Sequence, residues 1–225
     1  MTGGVDIRRS AGAVVITPVD GWMEIGAPGD PLHHWRPCAP FAVALSAGGA
    51  AVEPFLTVEQ VRAVCIDGRY DLLRRARGGD LRRPEEILGP SLPDPPIPTR
   101  LRWTEADALC RLAGGTLADE TQVLAICRHL LGHPELAPAA LPGTPGWTRS
   151  PWSEWSEALV AFDVRRGRWA AAPDRVLPDA AIGGAYRTLV APGMPPRRSA
   201  GDAEGTSPPD ASPRVMAAAW MVLAP

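Results

Sequence analysis

Histidines and cysteines are the residues of this chain best suited to metal, redox or nucleophilic chemistry, and their spacing limits what they can do. His129 and His133 stand four apart, so on a helix they share a face and could offer two imidazoles to a divalent ion. Only Glu135 lies near as a third ligand, and Gly132 and Pro134 fray a helix at that point. The competing reading is a solvent-facing pair that complements the negative C-terminal end of the helix dipole. His33-His34-Trp35 falls in a Pro/Gly turn and reads as a packed loop. Cys38, Cys65, Cys110 and Cys127 are widely spaced and form no CxxC pair, so they read as reduced, mostly buried thiols. Cys110 and Cys127 fall on the inward faces of helices, where a thiol packs and does not react. The chain has no lysine, which removes Schiff-base and lysine general-base chemistry. It also lacks a Gly-x-Ser-x-Gly elbow and a phosphate-cradling glycine loop. The expectation is no catalytic residue, no metal and no cofactor. The alternative is a divergent metal-dependent oxidase or protein-maturation enzyme using the histidines, with ligands completed by a partner chain.

Recognition chemistry is better supplied. Tryptophan, tyrosine and arginine dominate interface hot spots, and the C-terminal half holds Trp147, Arg149, Trp152, Trp155, Tyr186, Arg187, Arg197 and Arg198. These eight are the candidate partner-binding residues. Trp152-Ser-Glu-Trp-Ser156 matches the short tryptophan boxes of cytokine-receptor and thrombospondin modules, but no cysteine follows Cys127 to support such a module. Its indoles also fit a core or loop scaffold, with their N–H groups on carbonyls. The cluster Arg74, Arg75, Arg77, Arg82 and Arg83 could dock an acidic partner. It fits better as a solvated helix and turn, with Glu85 and Glu86 nearby.

The whole-chain balance narrows the classes further. With 225 residues, 45% of them apolar, a core forms without disulfide or metal staples. A net charge of −2 and a pI near 6.1 argue against nucleic acid as a partner. No apolar run reaches the roughly 20 residues of a membrane span. The early run Ala11 to Ile16 is too short for a signal peptide, whose apolar stretch is about 7–15 residues. The expected compartment is the cytoplasm. All the bases are arginine and asparagine is absent too, a composition that fits a GC-rich bacterial gene.

Abundant proline (26) and glycine (23) require short elements and long loops to position these residues. Ala13 to Ile16, Gly21 to Gly26 and Pro40 to Leu45 read as strands. A helix capped by Thr57 places Val58, Val61, Val64 and Cys65 on one face. Residues 84–98, with five prolines between positions 90 and 98, read as an extended connector. A helix capped by Thr104 buries Ala108, Leu109 and Leu112 and stops at Gly114-Gly115. A second starts at Asp119, with Gln122 completing a capping box, and carries Val123, Leu124, Cys127, Leu130 and Leu131. Later strands are expected at Ala158 to Asp163, Arg168 to Ala172, Ala181 to Thr188 and Val215 to Leu223. Residues 199–212 read as a mobile loop and residues 1–10 as a flexible N-terminal tail. Residues 11–225 then form a single α+β domain.

The segment Trp103 to Arg128 resembles the central signature of the formylglycine-generating enzyme (sulfatase-modifying factor) family. In that family a tryptophan-led helix ends in Gly-Gly, followed by Arg-Leu-Pro-Thr-Glu and a second helix ending in arginine. Trp103, Ala106, Cys110, Gly114, Gly115, Leu117, Glu120 and Arg128 match it, whereas Thr116, Ala118 and Val123 depart from it. The flanks follow in the family's order. Gly21 to Gly26 resembles the opening Phe-x-Met-Gly strand, and Pro37 to Val43 the Pro-x-His-x-Val strand. Val52 to Ala63 resembles the Glu-Val-Thr segment and its helix. Trp152 to Trp155 sits where the family has Gly-Asn-Val-Trp-Glu-Trp. Ile182 to Tyr186 resembles Arg-Gly-Gly-Ser-Trp, and Ala219 to Met221 the terminal Gly-Phe-Arg.

This resemblance, over roughly residues 13–225, implies the loop-rich, formylglycine-generating-enzyme-like variant of the C-type lectin fold. It does not carry the activity over. The family's oxidative chemistry uses a C-terminal cysteine pair that binds copper(I), and here no cysteine follows Cys127. The sulfoxide-synthase branch holds iron with three histidines, largely from a helical domain this chain lacks. The expected function is therefore that of a pseudoenzyme: a non-catalytic binding or scaffolding module. Its partner would be a protein or peptide encoded nearby, with neither nucleic acid nor membrane involved. A diversity-generating variable protein shares the fold, but its asparagine-codon mutagenesis does not suit a chain without asparagine.

Overall fold

The computed structural model describes residues 5–10, 12–25, 33–46, 48–49, 51–78, 81–89, 101–133, 146–151, 162–163, 168–169, 186–190, 197–200 and 218–224. The chain mixes helices and strands, as the α+β expectation requires. It opens with strands β1 (Val5–Ser10) and β2 (Ala13–Pro18), paired antiparallel from Val5↔Pro18 to Ser10↔Ala13. The expectation of a flexible tail over residues 1–10 is therefore corrected from Val5 onward. Val5 and Ile7 alternate along the strand and pack against the core, which ties the segment to β2.

Strands β3 (Trp22–Ile25) and β4 (His34–Pro37) form a separate hairpin. His34 and Trp35 thus belong to a strand rather than a turn. Strand β5 (Phe41–Leu45) returns to β2 and sets Val43 opposite Val14 and Phe41 opposite Ile16, all buried. Strand β6 (Val52–Glu53) pairs with the end of β5.

Helix α1 (Val58–Ile66) begins where its cap predicts. Gln60 N donates to Thr57 Oγ1 at 3.2 Å, and Thr57 N donates to Gln60 Oε1 at 2.8 Å, closing a capping box. Helix α2 (Arg69–Ala76) follows, then the short α3 (Pro84–Leu88), so the first residues of the expected connector are helical. Residues 90–98 lie outside the described residues.

Helix α4 (Trp103–Leu112) has its cap at Arg102, two residues before the expected cap at Thr104. Glu105, at the third helical position, reaches back with its carboxylate to accept from Arg102 N at 2.9 Å, the return half of a capping box, which fixes the earlier start. Gly114, at φ 85°, ends the helix as expected. Strand β7 (Gly115–Leu117) continues directly into α5 (Glu120–Gly132), capped by Asp119 through Gln122 N at 2.8 Å.

Strand β8 (Gly146–Pro151) and the short β9 (Phe162–Asp163) and β10 (Arg168–Trp169) come next. They are followed by β11 (Tyr186–Val190), β12 (Arg197–Ala200), β13 (Ala218–Ala219) and β14 (Met221–Leu223). Residues 199–200, expected in a loop, close β12, and 201–212 lie outside the described residues.

The main sheet runs β1-β2-β5-β14-β7, with β6 also on β5. Strand β14 therefore sits between β5 and β7, with Leu223 opposite both Ala42 and Gly115. Successive side chains of the final run go to opposite faces. Ala218, Trp220 and Val222 join a core with α5, β2 and β5, whereas Ala219 and Met221 join one with α1, α2 and α4. An unbroken apolar run buried on both faces is what such a position demands. Trp220 is fully buried and its ring lies 4.2 Å from Phe55. Among the described residues, no helix is long and apolar enough to cross a membrane.

Candidate functional site

A second sheet, ordered β12-β11-β8-β13, carries most of the recognition residues named from the sequence. Strand β8 is anchored on its buried side by parallel pairing with β13, Ala218 opposite Gly146 and Ala219 opposite Trp147. Trp147 is only 1% exposed, and its indole N–H donates to Leu101 O at 2.8 Å. It is a core residue, which corrects its place among the contact candidates. Its N–H finds a carbonyl, so the whole indole can leave water at little polar cost. Trp103 supports the same strand by donating from Nε1 to Thr148 O at 2.9 Å.

Arg149 is the opposite case. Its backbone N–H donates to Ala118 O at 2.9 Å, while its side chain, 50% exposed, puts Nη2 2.8 Å from Asp119 Oδ2. The two oxygens of Asp119 thus divide their work: Oδ1 caps α5 and Oδ2 orients the arginine. Next along β8, Ser150 Oγ accepts from Glu120 N at 3.1 Å, satisfying another amide of the first turn of α5. Across the helix start, Arg36 of β4 lies 3.6 Å from the nearly buried Glu120 carboxylate. Two partly exposed guanidiniums and two acids therefore gather where β4, β8 and α5 meet. Arg36, Asp119, Glu120 and Ser150 were not singled out as site residues. Asp119 announces itself only as a cap, and nothing in the string His34 to Pro37 announces a strand.

The register places the remaining strand candidates beside β8. Arg187 of β11 lies opposite Pro151 of β8 on one side and Ser199 of β12 on the other. Tyr186 pairs with Ala200, Thr188 with Arg198 and Leu189 with Arg197, and the β8–β11 register shifts between Arg187 and Leu189. Trp152 and Trp155 lie outside the described residues.

His129 and His133 do come together, with ring centroids 5.1 Å apart. His129 is 1% exposed, however, so the solvent-facing reading is corrected for that residue. Among the described residues no group of three or more histidines, cysteines or acids is placed to hold a metal ion. Near the other end of the hairpin, His33 Nε2 lies 3.0 Å from Glu24 Oε1, and Arg128 Nη2 donates to Glu24 O at 3.2 Å.

All four thiols are held toward their protonated form. Burial, followed by the Asp119 charge, pushes Cys38 up to about 12 against a weaker opposing pull from Arg149. Burial pushes Cys127 up to about 12 and also raises Cys110. At half-buried Cys65, burial and then the charges of Asp71, Glu85 and Asp67 push the thiol up to about 11. A thiol so placed is a poor nucleophile and a poor metal ligand at neutral pH.

The Arg-rich stretch is not uniformly solvated. Arg82 donates to Glu105 from Nε at 2.8 Å and from Nη2 at 2.6 Å, and Glu105 is fully buried. Arg82 therefore holds α4 against the α2–α3 segment, while Arg75 and Arg77 remain exposed.

No protein-family model and no curated protein matches this chain.

Proposed function

We propose that this protein is a non-catalytic recognition module with the formylglycine-generating-enzyme-like variant of the C-type lectin fold. It binds a protein or peptide partner through the sheet that contains β8, β11 and β12. The observation that carries this reading is the register of those strands. It sets Arg187 and Arg197 at positions of one sheet face on strands neighbouring β8, with Tyr186 and Arg198 on the opposite face, and Arg149 of β8 is exposed and held in place by Asp119. Arginine positioned by a carboxylate gives up less entropy on binding than a free one, so it suits a contact residue. Protonated, buried thiols support a binding role over thiol catalysis. The mixed architecture with abundant loops is compatible with the proposed fold.

The test is a paired capture with chemical crosslinking from the source organism, using the full chain and the triple variant Arg149→Glu, Arg187→Glu, Arg197→Glu. A partner recovered by the first and lost by the second, with far-UV circular dichroism unchanged, supports the reading. Equal recovery by both baits, or recovery by neither, overturns this surface as the binding site.

A further inference from the structure

The outer edge of β1 is a six-residue strand with no neighbouring strand among the described residues, and its sequence is complementary to itself. From this we propose that two copies of the chain join antiparallel along β1, so that the main sheet runs through a two-fold axis at Ile7. The proposal is independent of the recognition surface on the other sheet.

Backbone geometry comes first. Ser10 and Ala13 flank a two-residue connection and form the closing pair of the β1–β2 hairpin, so they exchange their backbone hydrogen bonds. Bonded pairs alternate, so Ser10, Arg8 and Asp6 turn their N–H and C=O groups toward β2. Those of Arg9, Ile7 and Val5 then point to the open edge. Pro18 agrees with this phase. It has no N–H to give, and it sits opposite Val5, in a pair that exchanges no bonds.

A two-fold axis perpendicular to a sheet leaves each face unchanged, so the axis must pass beside a residue that faces its own copy. Centring on Asp6 sets two aspartates face to face, and centring on Arg8 or Arg9 sets two arginines face to face. Centring on Ile7 opposes Ile7 to Ile7, Asp6 to Arg8 and Val5 to Arg9 of the second copy. That register joins the outward amides of both strands in about six new hydrogen bonds. It also places both Asp6–Arg8 pairs at the closely spaced, non-bonded positions, where cross-strand side chains approach best. Asp6 and Arg8 are exposed and available for this, while Ile7 is partly buried against the core. A strand edge of this length, uncovered among the described residues, is a template for pairing, and its charges select one register of one partner.

Light scattering coupled to gel filtration tests the proposal on the full chain. The expected mass is twice the 23.9 kDa of one chain. Asp6→Arg alone and Arg8→Asp alone each oppose like charges twice and should weaken self-association about tenfold or more. Mixing the two variants restores both opposite-charge pairs, so a heterodimer should form where neither homodimer does. The double exchange Asp6→Arg, Arg8→Asp should likewise dimerise. A monomeric wild-type chain at about 100 µM would overturn the proposal. So would dimers unaffected by either single charge change, or a mixture that fails to associate while both variants remain folded by circular dichroism.

Discussion

Replacing Glu105 by glutamine keeps the size of the side chain and removes the charge at the centre of a buried network. The native carboxylate is 0% exposed and accepts from Arg82 Nε, Arg82 Nη2 and Arg102 N at 2.8, 2.6 and 2.9 Å. Glutamine retains one acceptor oxygen and turns an NH2 group toward the guanidinium, which leaves a mostly buried cation without its counter-charge. Losing charged hydrogen bonds in such a setting should cost about 2–4 kcal/mol. For a chain of this size that is a fall in Tm of roughly 4–16 °C. A double-mutant cycle with Arg82→Met isolates the pair, and its coupling should be at least about 1 kcal/mol. Acidity gives a second readout. Burial acts to raise the Glu105 carboxyl, but hydrogen bonds from Arg82 and Arg102 N, together with the Arg82 charge, hold it below its ordinary 4.5. A carboxylate depressed in the folded state stabilises above its unfolded value, and that stability is lost as pH falls through the folded one. The wild-type advantage over Glu105→Gln should therefore be full at neutral pH and shrink below about pH 4.5. Calorimetry of the four proteins of the cycle between neutral and acid pH would measure both effects. Additivity within about 0.5 kcal/mol, or an advantage that does not shrink in acid, would refute the reasoning.

Two further outcomes follow from packing and burial. A Cβ at Gly146 would lie 2.5 Å from Trp220 Cδ1, and one at Gly115 would lie 2.6 Å from Val222 O. Gly146→Ala should cost about 1–3 kcal/mol in a urea melt and alter the near-UV signal of the displaced indole. Gly115→Ala should cost at least as much, because a backbone carbonyl cannot move aside by changing rotamer. In the folded protein, iodoacetamide near pH 8 should modify half-buried Cys65 before Cys38, Cys110 and Cys127, whereas all four react in denaturant. Mass spectrometry would read the order, and rapid uniform labelling would contradict the buried placement.

Local signals in the sequence read well where the chemistry is local. Thr57 with Gln60 and Asp119 with Gln122 are reciprocal caps within four residues, and both helices start where those pairs require. The apolar run before Leu223 also reads directly, since burial on both faces leaves no polar alternation. Thr104 misled because Glu105 reaches back to Arg102 N and fixes the start two residues earlier, drawn there also by Arg82, 23 residues away. Val5 to Ser10 carries so little apolar content that only pairing with β2 makes it a strand. Trp147 and Arg149 illustrate the limit for the site. Two residues apart on one strand, they differ wholly in exposure, because a carbonyl at Leu101 takes one and Asp119 takes the other. Neither partner is visible from the strand's own sequence.

The placement of β14 has a consequence for how the chain reaches its fold. Residues 41–45 and 115–117 cannot be joined into one sheet until residues 221–223 are available to lie between them. On the ribosome, the β1-β2-β5 strands wait without their β14 partner until residues 221–223 have emerged. Their completion depends on closing a loop far longer than any hairpin, which makes acquisition of the native state slow and late. Until then the unpaired edge of β5 is the kind of strand flank through which incomplete chains aggregate.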